Sequence, residues 1–171
     1  MKTFIHHFIV GTLLVGTLFT TSVYAESSES TSQAAELEKG QVAQVLAPIA
    51  LYPDSLLTHV LIASTYPIEV IEAHRWAEKN PEIKGNDIAE AVEAFDWDPS
   101  IIALISFPTV LEKMSTELSW TQQLGDAFLQ DEEQVLATIQ ELRSKAEEAG
   151  NLDKMENVKV VKEQKTIIIE P

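Results

Sequence analysis

The chain has 171 residues and a formal net charge of −15, from 12 basic and 27 acidic side chains. A chain this acidic repels nucleic-acid phosphates and the headgroups of anionic lipids, so we expect neither as a partner. It contains no cysteine, which excludes thiol catalysis, cysteine-ligated zinc and iron–sulfur clusters.

Residues 1–25 have the three parts of a secretory signal peptide. Lys2 supplies a positive start, residues 8–19 form an uncharged, mostly apolar run, and Val23-Tyr24-Ala25 resembles a cleavage site. The run is shorter than the roughly 20 apolar residues that span a bilayer. We therefore predict cleavage before Glu26, with an uncleaved anchor as the alternative. We predict no transmembrane segment after cleavage, and export to a Gram-negative periplasm or to the extracellular medium.

The remainder of the chain divides into three segments by composition. Residues 26–33 are rich in Ser, Thr and Glu and are predicted to be a disordered leader. Residues 34–152 show helical periodicity, and residues 153–171 are predicted to be a linker and a β-hairpin. The predicted fold class is mainly α, an array of short proline-started helices plus a long C-terminal helix, ending in a β-hairpin.

Prolines mark the starts of the predicted helices. Proline suits the first turn of a helix, where its missing N–H is no loss, and is costly in the interior. We expect Asp54 or Ser55 to lie near the N-cap of the first of these helices. The predicted spans are 56–63, 67 to about 79, 85–87 through 95, 100–106, and 108 to about 118.

A longer helical stretch is predicted from Trp120. Asp131, followed three residues later by Gln134, resembles a capping box, so we expect a break there. Gly150 should end the last helix. The apolar seam of that helix has four-three spacing and comprises Val135, Ile139, Leu142, Ala146 and Ala149.

Two β-branched runs, 158–162 and 166–169, predict the hairpin, although the three residues between them include no glycine or asparagine. An isolated hairpin is marginal in water, so this one must pack on the helices or pair with another strand. We predict that it binds a protein partner or a second copy of the chain, with a mobile tail as the alternative. The predicted interaction residues are Val158, Val160, Ile167, Ile168 and Ile169.

Several short strings occur together along the chain: LAPIALYPDSLL at 46–57, ASTYP at 63–67, RW at 75–76, DWDPS at 96–100, FP at 107–108, WTQ at 120–122, LGDAF at 124–128 and AGNL at 149–152. In combination they resemble the bacterial envelope proteins grouped as domain of unknown function 3300, over roughly 41–171. The resemblance implies export from Gram-negative cells and a helical N-terminal domain. It implies no activity.

Four carboxylates are the candidates for catalysis: Asp96, Asp98, Asp126 and Glu69. Paired carboxylates serve general acid–base chemistry when their surroundings separate their pKa values. Asp98 followed by Pro99 is also what a helix start requires, and capping alone accounts for that aspartate. We therefore predict a non-catalytic structural or interaction module, with an envelope hydrolase using a carboxylate pair as the alternative.

His74 and Glu78 are four residues apart and share a helix face, which a metal could use. Two ligands without a third are weak evidence for a site. No H-E-x-x-H, calcium-loop or Gly-rich phosphate motif is present. We accordingly predict neither a metal nor a cofactor.

Overall fold

The computed structural model describes residues 39–171. The predicted signal peptide, the leader and the first residues of the helical segment lie outside them. The described part is mainly α and ends in a two-stranded antiparallel sheet, which confirms the predicted fold class. Its α-helices are α1 (39–46), α2 (Asp54–Ala63), α3 (Pro67–Lys79), α4 (Asp87–Ala91), α5 (Pro99–Leu104), α6 (Pro108–Thr116), α7 (Leu118–Gln130) and α8 (Glu132–Glu148).

Three helices begin at a proline, as the sequence predicted: α3, α5 and α6 start at Pro67, Pro99 and Pro108. Helix α2 starts at Asp54, two residues before the predicted start. Asp54 thus lies next to the N-cap residue, Pro53, but no side chain caps this helix. The Asp54 carboxylate is instead directed to an arginine of α8.

Local signals set the other helix ends. The predicted helix through Phe95 is interrupted, because α4 ends at Ala91 and a 3-10 turn, Glu93–Phe95, follows it. The predicted break before α8 is present, and Asp131 Oδ1 accepts a hydrogen bond of 2.9 Å from the Gln134 N–H. After α8, Gly150 has a φ of 67°. This left-handed residue lets Asn151 N–H reach back to the Ala146 carbonyl at 2.8 Å, which closes the helix end.

The helices enclose one apolar core, in which α2 packs against α5 and α7, and α3 packs against α6. The α2–α7 contact requires a glycine. A Cβ built on Gly125 would lie 2.3 Å from the carbonyl oxygen of Ser64, at the C-terminal end of α2. The largest fully buried apolar residues of this core are Leu46, Ile49, Val60, Val70, Ile101, Leu104, Leu111, Met114, Leu124 and Ile139.

Strands β1 (Lys159–Glu163) and β2 (Thr166–Glu170) form the hairpin. The register pairs Lys159 with Glu170, Val161 with Ile168, and Glu163 with Thr166. Gln164, the first residue of the two-residue turn, has a φ of 56°, the left-handed conformation that tight hairpin turns favour. A second apolar cluster lies beneath the hairpin, and its buried members are Leu152, Ile167 and Ile169.

Within residues 39–171 no single helix is long and apolar enough to cross a membrane. Helices α2 and α3 together have sufficient length and apolar composition, but they are bent by 114° at the break between them.

Candidate interaction site at the C-terminal hairpin

Arg143 of α8 fastens the hairpin to the helical domain. Its side chain is 1% exposed and donates to three backbone carbonyls: Nε to Ala50 at 2.8 Å, Nη2 to Tyr52 at 3.0 Å and Nη1 to Ile167 at 2.7 Å. The planar guanidinium can make these bonds together because its donors point in fixed, divergent directions. It thereby joins the turn before α2 to strand β2.

Asp54 supplies the counter-charge to this buried cation. Its Oδ1 lies 2.6 Å from Arg143 Nη1, although the contact lacks hydrogen-bond geometry and is an ion pair. The Asp54 side chain is 44% exposed, although Oδ1 itself is buried. The three carbonyl bonds and this ion pair together hold Arg143 in place.

Gln140, one turn before Arg143, pairs with β2 as a neighbouring strand would. Its Oε1 accepts from Ile167 N–H at 2.8 Å, and its Nε2 donates to the Ile167 carbonyl at 3.3 Å. A side-chain amide thus satisfies the backbone groups of Ile167 that face away from β1. The outer edge of β2 is covered by α8 at this residue.

The structure divides the predicted interaction residues between two faces of the hairpin. Ile167 and Ile169, at 4% and 0% exposure, are buried against the chain's own residues, and Val158 and Val160 pack beside them. Ile168 lies on the opposite face and is half-buried, as is its cross-strand neighbour Val161. We call the face with Val161 and Ile168 the outer face of the hairpin. The surface open to a partner is therefore this outer face, together with the edge of β1 that is not paired with β2.

The catalytic candidates are engaged in helix-end contacts or lie apart. Asp98 Oδ1 accepts from the backbone N–H of Ser100 at 2.8 Å and from its hydroxyl at 2.6 Å, which caps α5. Glu69 Oε2 accepts from the Asp98 N–H at 3.0 Å. Asp96 is an exposed turn residue with a φ of 54°. Asp126 is exposed in a groove that is also lined by Trp120. The Glu69 carboxylate thus contacts Asp98, but at its backbone N–H and not at its carboxylate.

His74 and Glu78, the metal candidates, line a cavity of about 690 Å³ between α3, α4 and α6. Glu112 also lines it, beside apolar side chains such as Ile88 and Leu111. Among residues 39–171, no cluster of three or more His, Cys, Asp or Glu side chains is placed to hold a metal ion.

The groove that Asp126 lines has a volume of about 550 Å³ and lies between α1, α7 and the start of α8. Trp120 forms part of its wall and donates from Nε1 to the Val45 carbonyl at 2.8 Å, while Lys113 Nζ lies 4.9 Å from the centre of its ring. The indole therefore anchors α7 to α1. The glutamines that line this groove are Gln41, Gln44, Gln123, Gln130 and Gln134.

The sequence interpretation missed Arg143 and Gln140. One signal was available for Arg143, since it follows Val135 and Ile139 at four-residue intervals and so falls on the buried face of α8. A charged residue on such a face is almost never fully buried without partners. Its carbonyl partners are 24 to 93 residues away, and no local pattern identifies them.

The class of protein that this structure defines is a helical domain with a docked C-terminal hairpin. The chain belongs to the family described as Protein of unknown function (DUF3300), whose model matches residues 38–171. It is 41% identical over 121 residues to the uncharacterized protein YacH of Escherichia coli (strain K12). The match covers 71% of this chain and 20% of YacH, so the chain spans about a fifth of that relative's length. No solved structure matches it.

Proposed function

We propose that this chain is an exported, non-catalytic interaction module that captures a partner strand along the outer edge of β1. One observation carries the proposal: the two edges of the hairpin differ. On the β2 edge, Gln140 and Arg143 of α8 bond the peptide groups of Ile167, and Ile169 is fully buried. Along the β1 edge, the outward N–H and carbonyl groups have no hydrogen-bond partner within residues 39–171. An open strand edge of this kind is a template for an added strand.

The attachment of the hairpin supports this role. A binding strand loses less entropy on association when it is already held in its bound conformation. Arg143 and Gln140 fix β2 to α8, and the burial of Ile167 and Ile169 fixes its orientation. The edge of β1 is therefore presented on a rigid support.

The carboxylates favour this module over the envelope hydrolase. A glycosidase-type pair needs two carboxyl groups that face one substrate bond. Asp98 is committed to Ser100, and Glu69 is committed to the backbone of Asp98. Asp126 lines the groove beside Trp120. Helix capping accounts for Asp98, and a hydrogen bond to the backbone of Asp98 accounts for Glu69, without any reaction.

Export rests on residues 1–25, which lie outside the described structure. The periplasm of a Gram-negative cell is the compartment that we propose, so the partner would be an envelope protein. The net charge of −15 argues that recognition is not through phosphates or anionic lipids.

A pair of substitutions at one position tests the proposal. Lys162→Pro removes an outward N–H from β1, and proline is tolerated on an edge strand when the lost N–H faces away from the sheet. Lys162→Ala removes the same side chain and keeps the N–H, so it is the matched control. A photo-crosslinking residue at Glu163 should form discrete adducts in cells in the Ala background and lose most of them in the Pro background.

A crosslinker at Glu90, which is exposed on α4, controls for adducts formed by proximity alone. Circular dichroism should show equal helical content in both Lys162 variants. Adducts of equal yield from both backgrounds, or the same adducts from Glu90, would show that the β1 edge is not the binding surface.

A further inference from the structure

The peptide groups at the open edge of β1 can be assigned from the partners of β2. Ile167 donates its N–H to Gln140, and its carbonyl accepts from Gln140 and Arg143, so both peptide groups point away from β1. Lys162 is paired with Ile167. In an antiparallel ladder such a pair exchanges no hydrogen bonds, and the peptide groups of Lys162 must also face outward. Because this direction alternates along a strand, Val160 faces outward too.

We propose that the partner of this edge is a second copy of the chain, which adds its own β1 antiparallel across a twofold axis at Val161. The inference rests on the proposed function and names the partner and the register. A peptide group that faces outward from one β1 can bond only to an outward-facing peptide group of the other β1. The twofold axis can therefore pass through a residue position but not between two residues. Registers centred on Val160, Val161 or Lys162 overlap the strands best.

Charge complementarity selects one of these registers. In the register centred on Val161, Lys159 of each copy lies opposite Glu163 of the other. This register places two opposite-charge pairs across the new ladder. Centred on Lys162, the two copies of that lysine face each other, and like charges directly opposite destabilise a sheet. In the register centred on Val160, Lys159 faces Val161 of the other copy and Lys162 faces Val158, so neither lysine is opposite a carboxylate.

The outer face of the sheet fits the same register. Val161 pairs with Ile168 within the hairpin, and both are half-buried on the outer face. Joining the two β1 strands at Val161 makes one apolar row across four strands, with Ile168 at each end. Lys159, already 3.0 Å from Glu170, would then lie between two carboxylates, Glu170 of its own chain and Glu163 of the other.

The expected complex is a weak, reversible dimer, because two added strands form a small interface. Its dissociation constant should lie in the range of about 10 µM to 1 mM. The net charge of −15 opposes association. Sedimentation velocity of the purified mature chain should therefore be run near 0.15 M salt, where the Debye length is about 8 Å.

Charge reversal tests the register. Glu163→Lys places a second positive charge opposite Lys159 and should weaken the dimer about tenfold, although it reduces the overall repulsion between copies. Glu156→Lys is the matched control, because Glu156 is exposed and precedes β1. The double variant Lys159→Glu, Glu170→Lys exchanges the charges of the 159–170 ion pair and so keeps that pair within the hairpin. It should also weaken self-association, because position 159 then carries the same charge as Glu163 of the other copy. Mixing that variant with Glu163→Lys should restore the dimer as a heterodimer.

A single cysteine tests the axis directly, because the chain has no cysteine of its own. Val161→Cys should form a disulfide-linked dimer under mild oxidation, since its Cβ would face its own copy in a non-hydrogen-bonded pair about 4.5–5.5 Å away. Ile168→Cys, on the same face but one strand further from the axis, should not.

A chain that stays monomeric to about 1 mM, or a dimer indifferent to Glu163→Lys, would overturn self-pairing. In either case the proposed function would still stand if Lys162→Pro abolished the Glu163 adducts and those adducts contained a different protein. If no dimer forms and the adducts do not depend on the position of the crosslinker, both proposals are wrong.

Discussion

Arg143 Nη1 donates to the carbonyl oxygen of Ile167 at 2.7 Å, across 24 residues of sequence. The bond joins α8 to β2, whose other edge is paired with β1, and it is made by a cation that is 1% exposed. The hairpin is therefore part of the folded domain.

The first prediction concerns this arginine. Arg143→Ala leaves three carbonyls without their donor and Asp54 without its counter-charge, so the free energy of unfolding should fall by about 3 kcal/mol or more. Arg143→Lys keeps the charge but not the fork of donors and should cost roughly 2 kcal/mol. Urea denaturation measures both losses. Lys145→Ala, at an exposed position on the same helix, should stay within about 0.5 kcal/mol. A loss below about 1 kcal/mol for Arg143→Ala would mean that water replaces the bonds.

The second prediction concerns the glycine between α2 and α7. Gly125→Ala should destabilise the fold by roughly 1–3 kcal/mol, because its Cβ meets the backbone of Ser64, which cannot rotate away as a side chain could. Gly40→Ala, on α1 with nothing near its Cβ, is the control and should stabilise by about 0.5–1 kcal/mol through helix propensity. Thermal unfolding of the two variants gives the comparison. Equal effects of the same sign would contradict the close contact.

The third prediction separates capping from catalysis at Asp98. Asp98→Asn keeps an oxygen that can accept from the Ser100 N–H, so it should be nearly neutral for stability. Asp98→Ala loses the cap and should cost about 0.5–2 kcal/mol. Chemical denaturation distinguishes the two. An equal loss in both variants would show that the negative charge itself is required and would favour a reactive role for this carboxylate.

The fourth prediction concerns export. The order of Lys2, the apolar run at 8–19 and Val23-Tyr24-Ala25 should direct cleavage after Ala25. N-terminal sequencing of the protein from the periplasmic fraction should therefore begin at Glu26. A protein that keeps Met1 and sediments with membranes would instead be held by an uncleaved anchor.

The sequence determined those parts of the fold that depend on near neighbours. Pro67, Pro99 and Pro108 start helices because their restricted φ suits a first turn. Asp98 and Asp131 cap helices through N–H groups two or three residues ahead. These signals act within one turn of helix, so no knowledge of the rest of the chain is required to interpret them.

The tertiary structure decided what those elements face. Periodicity placed Arg143 on the apolar side of α8 but could not show the carbonyls of Ala50, Tyr52 and Ile167 opposite it. Two β-branched runs predicted a hairpin, but which edge stays open depends on where α8 lies against β2. The requirement for glycine at position 125 likewise arises only from the contact with the backbone of Ser64. A periodic pattern identifies a buried face, whereas the groups that cover it come from residues far along the chain and are set by packing.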